Sequence, residues 1–267
     1  MPATNANGSA TVTVTLTDDG KTGGAALISE PQTLTINVLA VNDAPTMMVP
    51  TAQTTKEDTV KVIPAITVAD LEAATLELTL AVIKGTIRLD TVAGLTFQNG
   101  TDNGTATVQV QGSKADVNSA LKTISYTPNA DINGSDTLTV TVSDLSAAGA
   151  GNTLTAVKTV ALMISAVNDA PVQTVSPQIL TSVAEDSANT TAVPLGLNGL
   201  TYAPGSAAAT DETNQTLTYT ITSIPKFVTL FKADGMTAVA KNAKVTAVEL
   251  QGLKYKTVAN LFGTENL

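Results

Sequence analysis

The phrase "AVNDAP" occurs twice, beginning at Ala40 and at Ala166, each time between two strand-like runs. Its prolines are 171 − 45 = 126 residues apart, about the length of one domain. The same offset sets "PATNANGSATVTVTLTDDG" from Pro2 over "PNADINGSDTLTVTVSDLS" from Pro128 without a gap. A chain that repeats itself at this period is constrained to a string of similar domains, each burying its own core. Two further matches extend the pattern. "ALKTISYTPNADINGSDTL" from Ala120 pairs with "ELQGLKYKTVANLFGTENL" from Glu249, which sets Tyr126 with Tyr255 and Gly134 with Gly263. "VADLEAATLELTL" from Val68 pairs with "ATDETNQTLTYTI" from Ala209, at the larger offset of 211 − 70 = 141. The excess places an insertion within "LGLNGLTYAPGSAAA", residues 195–209, which reads as a surface loop.

These matches predict three pieces. Residues 1–43 are the C-terminal hairpin of a preceding repeat or of a repeat in a neighbouring chain; 44–169 form one complete repeat; 170–267 form a second repeat that lacks its final hairpin.

"TVTVTL" from Thr11 alternates strictly, with Val12, Val14 and Leu16 on one face and threonines on the other, the period of a half-buried strand. "TLTINV" from Thr33, "TLELTL" from Thr75, "LTVTV" from Leu138 and "LTYTI" from Leu217 repeat it, with β-branched Thr at the outward positions. Six or seven such runs per repeat, broken by Gly, Asn, Asp and Pro, predict antiparallel β-sandwiches. The one helix-like stretch is "SKADVNSALKTI" from Ser113, a short crossover helix. Tyr126 and Tyr255 fall at equivalent strand ends, where each serves as an anchor whose hydroxyl bonds backbone.

Composition narrows the chemistry. The chain has no Cys, no His and no Trp among its 267 residues, which removes thiol nucleophiles, Ser-His-Asp triads and zinc or haem ligation. What remains is carboxylate chemistry and oxygen-ligated metal. Enzymatic hydrolysis by paired carboxylates needs an aromatic-lined cleft, and aromatics are only 3%, so the reading is non-enzymatic. A net charge of −9 argues against nucleic acid and anionic membranes and favours divalent cations. No apolar run reaches the roughly 18 residues of a membrane span, and "MPATNANGSA" does not read as a signal peptide. Sequons at Asn103, Asn133 and Asn189 follow from the abundance of Asn, Gly and Thr in turns.

Carboxylates recur at equivalent places in a chain that is only 14% charged: Glu57-Asp58 and Glu185-Asp186, Asp70 with Glu72 and Asp211 with Glu212, Asp18 and Asp144. Asn-Asp-Ala-Pro at the joints has a plain reading as a turn closed by a rigid proline, and a sharper one as part of an ion site.

Together "AVNDAP", "KEDT", "VADLE", "ATDETNQTLTY", "YTPNADINGSDTLTVTVSD" and "TVTLTDDG" resemble the cadherin-like and chondroitin-sulfate-proteoglycan-type tandem repeats of large bacterial surface adhesins. The resemblance implies tandem Ig-like or cadherin-like antiparallel β-sandwiches in an elongated array, outside the cell or on its surface, with Ca²⁺ stiffening the joints. Carried over residue by residue, the first joint would use Asn42, Asp43, Asp70, Glu72 and Asp144, and the second Glu57, Asn168, Asp169, Asp211 and Glu212. Two departures stand out: Ala40 and Ala44 occupy places where cadherin linkers carry Asp and Asn, and the Asp-x-Glu element is replaced by "NADINGSD", where Asp131 and Asp136 are the substitutes. One or two ions per joint are expected. The implied role is a spacer whose partners are neighbouring repeats. The alternatives are a filament or sheath subunit that donates its N-terminal hairpin to the open repeat of the next chain, and a carbohydrate-binding module at the loop around Tyr202 on host or surface glycans.

Overall fold

The computed structural model describes residues 1–145, 151–176 and 183–264. The last three residues of the match from Glu249 lie outside the described residues. The chain divides into two compact units: Met1–Thr55, Thr59–Asn129 and Ser135–Ile164 in the first, Lys56–Asp58, Ala130–Gly134 and Ser165–Leu267 in the second. Both are built from antiparallel strands, so the fold is all-β.

In the first unit the alternation of Thr75–Ala81 decides which face is inside. Leu76, Leu78 and Leu80 are fully buried, while Glu77 and Thr79 point to the half-exposed face. One flank pairs with Thr107–Ser113, placing Val108 opposite Leu80 and Val110 opposite Leu78. The other pairs with Gly134–Ser143, placing Val140 opposite Leu80 and Val142 opposite Leu78. Gln53–Lys56, Thr155–Ser165 and Leu95–Phe97 complete a six-stranded sheet. A three-stranded sheet of Lys61–Ile63, Ile124–Pro128 and Gly85–Leu89 supplies the rest of the same core through Ile63, Ile87, Leu89, Ile124 and Tyr126. Each such side chain contributes roughly 1.5–3 kcal/mol on burial, which makes disulfides dispensable.

The expected crossover helix is Lys114–Ala120, capped by Ser113, whose Oγ accepts from Asp116 N at 3.1 Å. Its Asn118 side chain behaves as a length of strand: Oδ1 accepts from Val68 N and Nδ2 donates to Val68 O, both at 2.9 Å. That pair holds Thr67–Ala69, which itself pairs with Thr46–Met48.

The N-terminal hairpin departs from expectation. Gly8–Val14 pairs with Gln32–Val38, Val12 opposite Leu34, as the alternation requires. Yet Val12, Val14 and Leu16 are 43%, 59% and 75% exposed rather than half-buried. Strict alternation makes one face of the ribbon apolar, but burial needs a second layer, and among the described residues no further strand joins the pair.

The second unit keeps the same plan with shorter strands. Lys254–Thr257 lies between Val193–Pro194 and Val228–Phe231, so that Tyr255 faces Val193 and Leu230 as Tyr126 faces Lys61 and Ile87. Ala238–Val239 extends this sheet, and Tyr219–Thr220 pairs with Lys244–Val245 as Leu78 pairs with Val110. The regular part of "LTYTI" is confined to those two residues. A second short helix, Ala247–Gln251, is present where the sequence reading placed none. Thr246 and Glu249 form its reciprocal capping box, and the signature Thr-x-x-Glu was there to be read. The inserted segment is not wholly a loop: Thr201–Ala203 is a strand paired with Val172–Val175.

Candidate metal centre

Two turn tips shape the site in the second unit. Asp58 and Asp131 both take left-handed backbone, φ 57° and 56°, and Asp131 N donates to Asp58 Oδ1 at 3.1 Å. Short polar side chains tolerate that conformation, and an Asp at each tip brings two carboxylates together. With Asp169 they form the one group of three carboxylates among the described residues whose oxygens lie within 4.8 Å of one another.

Buried acids surround this group. Glu57 is 1% exposed; its Oε1 accepts from Val167 N, its backbone N donates to Ser165 O at 3.0 Å, and its Oε2 has no partner. Glu212 is 2% exposed; its Oε1 accepts from Asp169 N at 3.2 Å and its Oε2 is again unpartnered, as is Asp169 Oδ2. Asp211 Oδ1 accepts from Asn133 Nδ2 at 2.6 Å. Desolvation, then the charges of Asp131, Asp58, Glu57 and Asp211, push the Asp169 carboxyl above its usual range. The two ion pairs found among the described residues, Lys21 with Asp19 and Lys232 with Glu249, lie elsewhere. Buried carboxylate oxygens without hydrogen-bond donors are destabilising unless a cation joins them. The donor set is all oxygen, which suits Ca²⁺ and excludes soft metals.

Of the residues expected at this joint, Glu57, Asp169, Asp211 and Glu212 are here. Asn168 is not: it is exposed, and its Oδ1 accepts from Gln215 Nε2 at 2.9 Å. Asp58, present in the sequence as a recurring carboxylate but outside the implied ligand set, and Asp131, only a substitute, turn out to be central. The equivalence of Asp70 with Asp211 also shifts by one residue, because Glu72 and Glu212 are the groups that accept from the linker amides Asp43 N and Asp169 N.

In the first unit the five expected residues fall into a pair, Asn42 with Asp144, and a trio, Asp43, Asp70 and Glu72. Asn42, 7% exposed, donates from Nδ2 to Asp144 Oδ2 at 2.6 Å and to Asn152 O at 3.0 Å. Asp144 Oδ1 accepts from Leu154 N at 2.9 Å. Asp43 N donates to Glu72 Oε2 at 3.3 Å, and Asp70 Oδ1 accepts from Glu72 N and Ala73 N at 2.9 and 2.6 Å. Lys114 Nζ donates to the backbone oxygen of Asp70 at 2.6 Å, tying this turn to the crossover helix. Asn42 Oδ1 and Asp70 Oδ2 are buried and unpartnered, but among the described residues no group of three carboxylates gathers here as it does in the second unit.

Asp136 has a different job from Asp131. Its carboxylate accepts from Ile83 N, Lys84 N, Thr137 N and the Tyr126 hydroxyl, at 3.1, 2.9, 2.7 and 2.8 Å. The Tyr126 hydroxyl was expected to bond backbone; its short bond is to this carboxylate, with Lys84 O at 3.4 Å. Tyr202 packs edge-to-face on Tyr219, ring centroids 5.8 Å apart, and lines a mainly aliphatic cavity.

A search of curated proteins finds no match to the sequence. Among solved structures the chain is similar to mouse cadherin-23 repeats EC22–24, at 16% identity and TM-score 0.34 over 93% of this chain and 64% of that one. It is also similar to a PapD-like domain of human CEP192, at 7% identity and TM-score 0.24 over 46% of this chain and 86% of that one. A third is an endo-fucoidan hydrolase of glycoside hydrolase family 107, at 16% identity and TM-score 0.23 over 94% and 30%. Among the described residues no helix is long and apolar enough to cross a membrane. Residues 42–161 match the Bacterial Ig domain family, whose members are typical of extracellular and surface proteins, and this segment is an Ig-like sandwich.

Proposed function

We propose that the chain is a calcium-stiffened repeat segment of a bacterial surface adhesin, a spacer in which an ion fixes the turn tips of one sequence repeat to those of the next. The observation that carries this reading is the set of buried, unpartnered oxygens, Glu57 Oε2, Asp169 Oδ2 and Glu212 Oε2, around the Asp58, Asp131 and Asp169 cluster. Asp58, Asp131 and Asp211 supply the remaining carboxylates. Bound there, Ca²⁺ neutralises like charges drawn from both sequence repeats and makes their joint rigid.

The test is thermal unfolding with Ca²⁺ and with chelator. Extracellular calcium modules bind at about 10⁻⁴ to 10⁻³ M, so about 10 mM Ca²⁺ stabilises by roughly 1.4–2.7 kcal/mol. Replacing Glu57→Gln and Asp169→Asn together removes most of that gain. An unfolding temperature indifferent to Ca²⁺ in the unsubstituted chain overturns the assignment.

A further inference from the structure

We propose that Asn133 is a positioning residue of the cation site, whose side-chain amide holds Asp211 towards the ion and thereby sets the affinity for Ca²⁺. The inference rests on the reading of the carboxylate cluster as a calcium site.

Around the cluster, carboxylates are steadied through one oxygen. Glu57 Oε1 accepts from Val167 N, Asp58 Oδ1 from Asp131 N at 3.1 Å, and Glu212 Oε1 from Asp169 N at 3.2 Å. These donors are backbone N–H groups, which the fold supplies whatever the side chains. Gln215 Nε2 adds a longer bond to Glu212 Oε1, at 3.4 Å. Asp211 is held differently. Among the described residues its carboxylate accepts from a side chain alone, Asn133 Nδ2 at 2.6 Å, with no backbone N–H behind it. Asp211 lies in the short 3-10 turn Thr210–Asn214, which has no side-chain cap of its own. Asn133 follows Asp131 by two positions, so one tip supplies both a carboxylate of the cluster and the donor that orients another.

The turn itself does not ask for asparagine at this position. In the match from Glu249, Phe262 stands in the place of Asn133, and the tip still closes, Asn260 N donating to Asp186 Oδ1 at 3.2 Å. Asn133 is therefore accounted for by its partner, Asp211, and not by its turn. Its chemistry suits the task. Ligating carboxylates are themselves oriented by hydrogen bonds from an outer layer of groups. An amide donates such a bond without bringing a charge, whereas a lysine in its place would satisfy Asp211 and repel the cation.

Calorimetric titration with Ca²⁺, together with unfolding temperatures in chelator and in excess Ca²⁺, tests the assignment. Removing an outer hydrogen-bond partner of a metal ligand weakens binding about 10–100-fold, and Asn133→Ala is expected to raise the Ca²⁺ dissociation constant by about 10-fold. Asn133→Asp keeps the size of the side chain and sets a second carboxylate against Asp211. It is expected to lower the unfolding temperature in chelator and to regain the loss in excess Ca²⁺, because the ion then relieves the repulsion. A role confined to holding the fold predicts otherwise: an unchanged dissociation constant for Asn133→Ala, or an Asn133→Asp loss that Ca²⁺ does not diminish. Either result overturns the proposal. An unsubstituted chain that takes up no Ca²⁺ overturns the calcium reading along with it, so the titration of that chain tells the two failures apart.

Discussion

The Tyr126 hydroxyl donates to Asp136 Oδ2 at 2.8 Å, and both side chains are nearly inaccessible, at 0% and 6% exposure. Burial and the neighbouring carboxylate together push the tyrosine hydroxyl well above its ordinary range. For Asp136, burial works upward, but the amides of Lys84, Thr137 and Ile83 and the Tyr126 hydroxyl outweigh it and hold the carboxyl below its usual value. A depressed carboxyl contributes stability above its unfolded pKa of about 3.9 and loses it as pH falls through the folded value. Asp136→Asn is expected to cost roughly 2 kcal/mol near pH 7, and the cost shrinks as pH falls through the depressed folded value. Tyr126→Phe removes one of the four donors and costs roughly 1–2 kcal/mol. Urea unfolding of both variants at two pH values measures the difference.

Asn42 and Asn168 occupy the same place in the repeated phrase and have opposite fates. Asn42→Ala strips a buried carboxylate, Asp144, of its 2.6 Å donor and is expected to destabilise by roughly 2–3 kcal/mol. Asn168→Ala, at an exposed side chain bonded to Gln215, should stay within about 0.5 kcal/mol. Equal losses in chemical denaturation would contradict the asymmetry.

Asn118→Ala leaves Val68 N and O without the two 2.9 Å bonds that hold the Thr67–Ala69 strand. A loss of roughly 2 kcal/mol is expected. Hydrogen exchange at Val68 should rise out of proportion to the global change, because the defect is local.

Thr246→Ala breaks the capping box of Ala247–Gln251, an expected loss of about 1 kcal/mol. Ser113→Ala tests the matching cap of Lys114–Ala120. Circular dichroism and thermal melts of the two variants compare them directly.

Much of this architecture was legible because period-two alternation is a local signal. "TLELTL" names its own buried face, and the flanking strands must agree with it. The repeat offset carried more, setting Tyr126 with Tyr255, and each tyrosine lies in a strand paired on both sides. Burial of the first hairpin was not legible, since alternation reports which face is apolar and not whether anything covers it. At the carboxylate cluster the linker and the acidic turn of Asp211-Glu212 were readable as recurring carboxylates. Asp58 and Asp131 were underrated because their meeting depends on two left-handed turns that approach each other across 131 − 58 = 73 residues. Asn168 was overrated because a shared phrase fixes a turn, while the side chain's partner is set by neighbours such as Gln215 that the phrase does not contain.

The tip formed by Asp58 and Asp131 is built a second time in the chain. Asp186 and Asn260 have φ 62° and 58°, and Asn260 N donates to Asp186 Oδ1 at 3.2 Å. Asn5, the N-terminal counterpart of Asp131, also has φ 58°. The backbone thus asks only for a residue at ease in left-handed conformation, a demand Asn and Asp meet equally. Formal charge at the tip is uncoupled from the turn that presents it. The number of carboxylates gathered at such a tip can then change by exchanging Asp and Asn one position at a time, with the scaffold indifferent to each step.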